Sequence, residues 1–105
     1  MPYTSISNVA EEVEIPEEGI LSRVLFKDDQ IRVVGFGFDT GQELSEHTAA
    51  VPAVLQVISG RLVATLGSDT GELGAGSWVH LPPNLAHSVR ALEPSVLLLT
   101  LVQTQ

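Results

Sequence analysis

Residues 53–66 read AVLQVISGRLVATL. Two runs rich in Val, Ile and Leu, 53–58 and 61–66, flank a Ser59-Gly60 pair, and neither run holds a three-four apolar spacing long enough for a helix. Each is a strand by composition and length, and Ser59-Gly60 is the turn between them. The first run is apolar on both faces except at Gln56, so both of its faces need cover. The same rhythm extends in both directions. Strands are predicted over 22–27, 31–38, 43–48, 53–58, 61–66, 77–81, 86–91 and 95–102, with breaks at Asp28-Asp29, Asp39-Thr40-Gly41, residues 67–71, Pro82-Pro83-Asn84 and Glu93-Pro94. Eight short strands with no crossover helix predict an all-β chain, a single-domain jelly-roll β-barrel of antiparallel strands. Residues 1–20 differ: they are polar and acidic and are interrupted by Pro16 and Gly19. They are expected to form an N-terminal arm on a barrel domain of residues 21–105, with at most a short helix over 9–14.

The chain of 105 residues is one domain's worth, and an apolar share of 44% predicts that it folds. Its formal charge is −8, but Glu11, Glu12, Glu14, Glu17 and Glu18 supply five of the acids, and the remainder stands at −3. The five bases, Arg23, Lys27, Arg32, Arg61 and Arg90, are scattered and form no stripe for a polyphosphate, so no nucleic-acid partner is expected. With no cysteine, a metal would have to be held by nitrogen and oxygen. The N-terminus has no cationic region followed by an apolar run, and no apolar segment nears the roughly 20 residues of a membrane span. A cytoplasmic protein with no membrane partner is expected. Residues 96–102, like 51–58, are apolar on both faces, which calls for cover over one outer sheet face. A second subunit in a symmetric homodimer would supply it, and so would the arm of the same chain.

Chemistry is concentrated in His47, His80 and His87. Ser88 follows His87 directly and on a strand points to the opposite face, so it is no nucleophile for that imidazole, and no Gly-x-Ser-x-Gly elbow occurs. The glycines at 35, 37, 71, 74 and 76 lack the helix and the Lys-Ser/Thr ending of a phosphate cradle, so no organic cofactor is expected.

Two spacings resemble the cupin superfamily of small jelly-roll barrels. In its first motif Gly, five residues, His, one, His, three or four, Glu, six, Gly, this chain places Gly41, His47 and Gly60; in its second, Gly, five, Pro, one, Gly, two, His, three, Asn, it places Gly76, Pro82 and His87. The resemblance spans residues 31–102. Alanines stand at the second histidine (Ala49) and the glutamate (Ala53) of the first motif, and Asn84 and Ala91 replace Gly and Asn of the second. What the resemblance implies is a divalent transition metal (Fe, Mn, Ni or Zn) on His47 and His87, with dioxygenase, decarboxylase or isomerase chemistry on an unknown small molecule. The alternative is a metal-free barrel that binds or senses a small ligand, with the same histidines as polar anchors.

A metal needs further donors. On a regular strand Glu43 and Ser45 share the face of His47, which makes Glu43 the carboxylate candidate unless it is merely solvated; His80 completes a three-histidine set if it points inward, and otherwise packs beside Trp78. Gln56, Trp78 and Phe38 (or Phe36) are the candidate pocket wall, each with an ordinary reading as a core or edge residue.

Overall fold

The protein is described by a computed structural model over residues 2–103. A 3-10 turn, Val9–Glu12, is followed by nine strands: β1 Ile20–Lys27, β2 Ile31–Phe38, β3 Glu43–His47, β4 Ala53–Ser59, β5 Arg61–Leu66, β6 Asp69–Gly74, β7 Trp78–Leu81, β8 His87–Ala91 and β9 Ser95–Val102. All the strand pairings are antiparallel, in a five-stranded sheet ordered β1-β2-β9-β4-β7 and a four-stranded sheet ordered β3-β8-β5-β6. No helix among the described residues is long and apolar enough to cross a membrane.

Strand alternation fills the space between the sheets. Phe38, Ala53, Leu55, Val57, Leu81 and Leu97 from the larger sheet meet Leu62, Ala64, Val89 and Ala91 from the smaller one in a single buried cluster. Burying such side chains stabilises the fold by about 1.5–3 kcal/mol for each large one, which makes the interleaved inner faces the main support of the sandwich. Chain crossings sort the two ends. Residues 48–52 and 82–86 cross between the sheets at one end, while 39–42, 60, 75–77 and 92–94 cross at the other. The first end carries the termini of β3 and β7 and the start of β8.

The sequence predicts a break over 67–71, whereas the structure turns in two residues, Gly67-Ser68, with Gly67 at φ +62°, and continues as β6. A two-residue hairpin with a left-handed glycine in first position matches strand twist, and β6 is a sheet edge that needs no continuous apolar face.

The arm lies on the outer face of the larger sheet. Gly35 and Gly37 sit where it crosses β2: a methyl on Gly35 would strike Val13, and one on Gly37 would strike the Glu14 carbonyl oxygen. Val13 is buried there. Arg23 of β1 fastens the same segment, donating to the Glu12 carbonyl at 2.9 Å and pairing with its carboxylate at 3.3 Å. Downstream, the Glu18 amide donates to Asp39 at 2.8 Å, as does the Thr40 amide. These two amides hold the Asp39 carboxyl below its ordinary range. A depressed folded-state pKa means that the contribution is complete above the unfolded value of about 3.9 and is lost as the pH falls through the folded value. Acidification through that window is therefore expected to lower the protection of the Glu18 amide, taken relative to its intrinsic exchange rate at each pH, before the core strands respond, and Asp39→Asn should remove that pH dependence; hydrogen exchange read by NMR checks both.

Candidate functional site

His47 ends β3 and His87 opens β8, and the two are register partners. Their rings meet edge to face with centroids 4.1 Å apart. His87 is only 5% exposed, and the inward positions of its strand are His87, Val89 and Ala91, so it points between the sheets. His47 is exposed and stands at the rim above it.

The local backbone explains the meeting. Leu44 pairs with Val89 and His47 with His87, so β3 spends three residues where β8 spends two; this bulge shifts the alternation and brings Leu44 and His47 to one face. Both rings are then fixed in the same way. Nδ1 of His47 donates to the Ser45 carbonyl at 2.8 Å, and Nδ1 of His87 donates to the Leu85 carbonyl at 3.0 Å. A carbonyl only accepts, so each Nδ1 carries the proton. In the neutral ring each Nε2 then presents a lone pair, and neither Nε2 has a hydrogen-bond partner among the described residues. The turn before His87 rests on Asn84 at φ +69°, whose amide donates to the Ala49 carbonyl at 2.7 Å. The alanine at the first motif's second-histidine position thus holds the loop through its backbone.

Of the four candidate metal ligands, the structure brings together His47 and His87 and leaves the other two outside. Glu43 faces Arg90 on the outer side of β3, because the bulge breaks the regular alternation that would have put it beside His47. His80 is exposed on β7, between the inward-facing Val79 and Leu81. Among the described residues no group of three or more His, Cys, Asp or Glu side chains is placed to hold a metal ion. The pocket candidates are corrected on the same ground. Gln56 and Trp78 are register partners on the outer face, where Trp78 is 61% exposed. Phe38 is fully buried, six residues along β2 from the end that carries the histidines, or about 20 Å away at strand rise.

Register shows what surrounds the pair instead. Across the smaller sheet, one row runs His47, His87, Leu66, Asp69 from β3 to β6. A groove of about 210 Å³ lies at the far half of this row, lined by Ala64, Leu66 and Leu73 together with Asp69, Thr70 and Glu72, and neither histidine borders it. That volume is below the range usual for drug-sized ligands and suits a small molecule. Across the larger sheet at the same end, the row is Arg32, Leu101, Ala53, Leu81. Arg32 shares its face with Val34, Phe36 and Phe38, so it points inward. In the sequence Arg32 is one of five scattered bases that form no stripe, and the signal of its direction is the even spacing from Phe36 and Phe38.

No known family model matches the sequence, and no curated protein does. Solved structures do match. A conserved Streptococcus pyogenes protein of unknown function is 25% identical, with all of this chain and 92% of that one covered at a TM-score of 0.87. A cupin superfamily protein from Desulfitobacterium hafniense is 19% identical over 99% of this chain and 95% of its own, with a TM-score of 0.87. A Klebsiella pneumoniae protein with a double-stranded β-helix domain is 22% identical over 96% and 91%, with a TM-score of 0.84.

Proposed function

The fold is that of the cupins, and we propose that its cup binds a small molecule through the Nε2 atoms of His47 and His87, without a resident metal. The observation that carries this reading is the pinning of both Nδ1 atoms on backbone carbonyls. It presents two adjacent lone pairs at the cup mouth before any ligand arrives, so little rotamer freedom is lost on binding. Leu66, the register partner of His87, is the apolar side chain next to the pair along the sheet.

Fe, Mn, Ni or Zn on the same pair is the competing reading, and the donor chemistry weighs against it. Catalytic zinc sites use three protein ligands and structural ones four. Here Ala49 and Ala53 occupy the other two motif positions, and neither Glu43 nor His80 reaches the cup. The residues present do not complete a metal centre of the ordinary kind. Elemental analysis of untagged protein is expected to find no stoichiometric transition metal, and EDTA is expected to leave the melting temperature unchanged. Near-stoichiometric metal that disappears in His87→Ala would overturn the reading.

A further inference from the structure

We propose that Arg32 is the anion-recognising residue of the cup, and that the molecule it selects is a small hydroxycarboxylate; this rests on the two-histidine anchor argued above. Arg32 Nε is buried and has no hydrogen-bond partner among the described residues. A guanidinium N–H in that condition is costly unless something accepts from it, because the donor has been taken from water without replacement. Arg32 also makes no ion pair with an acid among the described residues, whereas Arg23 and Arg61 each do. The one other buried side-chain atom in that condition among the described residues is an acceptor, Gln103 Oε1, near the same end of the paired strand; it makes no hydrogen bond to Nε, so the acceptor that Arg32 lacks is left to the space it faces.

That space is the cup. Arg32 and the histidines lie at the same end of the sandwich, each on the inner face of its sheet. The β4 side of the larger sheet approaches β6, so β2 and β9 lie across from β3 and β8, which carry His47 and His87. Packed sheets are about 10 Å apart, a gap that a molecule of a few carbon atoms spans with a hydrogen bond at each end.

The chemistry of the two walls fixes the class. Arg32 offers donors and a permanent positive charge, so its partner is an anionic acceptor, and a planar fork favours a carboxylate. The imidazoles offer lone pairs at Nε2, so their partner carries donors, and hydroxyl groups supply them. A carboxylate with hydroxyls a few bonds away satisfies both walls. A simple fatty acid leaves the imidazoles unpaired, and a polyol leaves Arg32 unpaired. The net charge of −8 opposes anions in general, which makes an inward arginine the element that admits one selectively.

The test uses the full chain and two matched probe sets: glycerate, glycerol and propionate, and gluconate, sorbitol and hexanoate, each titrated by calorimetry. In at least one set the hydroxycarboxylate is expected to bind about ten-fold or more tightly than either relative. Arg32→Gln should bring it down to the polyol's affinity and leave the polyol unchanged, while Arg32→Lys restores only part of the difference. Without ligand, Arg32→Met should unfold at a higher urea concentration than the parent, since an unpaired donor is removed. Equal affinity for polyol and hydroxycarboxylate, with Arg32→Gln silent, would overturn the role of Arg32 and leave the histidine anchor standing. Binding unaffected by both His87→Ala and Arg32→Gln, or no binding of any probe, would remove the anchor and this inference together.

Discussion

Phe38→Ala is expected to lower the free energy of unfolding by about 4 kcal/mol, within the usual cost of removing a buried aromatic side chain. Phe38 is fully buried, sits 6.2 Å from the Phe36 ring centroid, and belongs to the cluster that joins the inner faces of the two sheets. It plugs the end of the sandwich opposite the histidines. Backbone on both sides is held by strand pairing from Ile20 and Ser95, so the site can collapse only in part and a void remains. Against a total stability of about 5–15 kcal/mol for a domain of ordinary stability, such a loss is large. Urea unfolding at constant m-value measures it. A loss under about 1 kcal/mol would show that this end repacks freely and that Phe38 is no keystone of the core.

Gly60→Ala should cost about 3 kcal/mol, by two routes that a control separates. Gly60 sits at φ +84°, where an L side chain carries a penalty of about 1–2 kcal/mol. Its added methyl would also strike the Ser95 hydroxyl and the Pro94 carbonyl oxygen, and overpacking of that kind adds about 1–3 kcal/mol. Ser95 cannot move aside cheaply. It is fully buried, donates to the Glu93 carbonyl at 2.7 Å and accepts from the Arg61 amide at 3.1 Å, tying the 92–94 crossing to the start of β5. Gly41 has nearly the same φ, +81°, with nothing within 4 Å of the added methyl. Gly41→Ala therefore reports the backbone penalty alone, and chemical denaturation of the two variants side by side isolates the collision. Equal losses would refute the packing half of this account.

The fold was legible because its signal is periodic. The eight expected strands are present, and Gly41, Gly60, Gly76 and Asn84, the four turn positions that the two motifs bring into line, all have positive φ. What escaped was the part of the chain where period and burial part company. Strand β6 is polar and glycine-containing and lies at an edge, so no apolar alternation announces it. Pairing of His47 with His87 followed from the motif spacing, but the company they keep did not. A bulge between Leu44 and His47 reverses which neighbours share a face, and nothing in Leu-Ser-Glu-His marks one extra residue. His80 and Arg32 are the reverse case. Val79 and Leu81 on one side of the parity, and Phe36 and Phe38 on the other, already said that the histidine faces out and the arginine faces in.

The crossing of residues 13–15 over Gly35 and Gly37 also bears on what can assemble with this sheet. Any second chain laid on the outer surface of β2 has to evict a tenant that is covalently tethered, whose effective concentration is in the millimolar range. A competitor present at micromolar levels begins roughly a thousand-fold behind. Trp78, 61% exposed on the outer face of β7, lies at the other edge of the same sheet, away from that crossing.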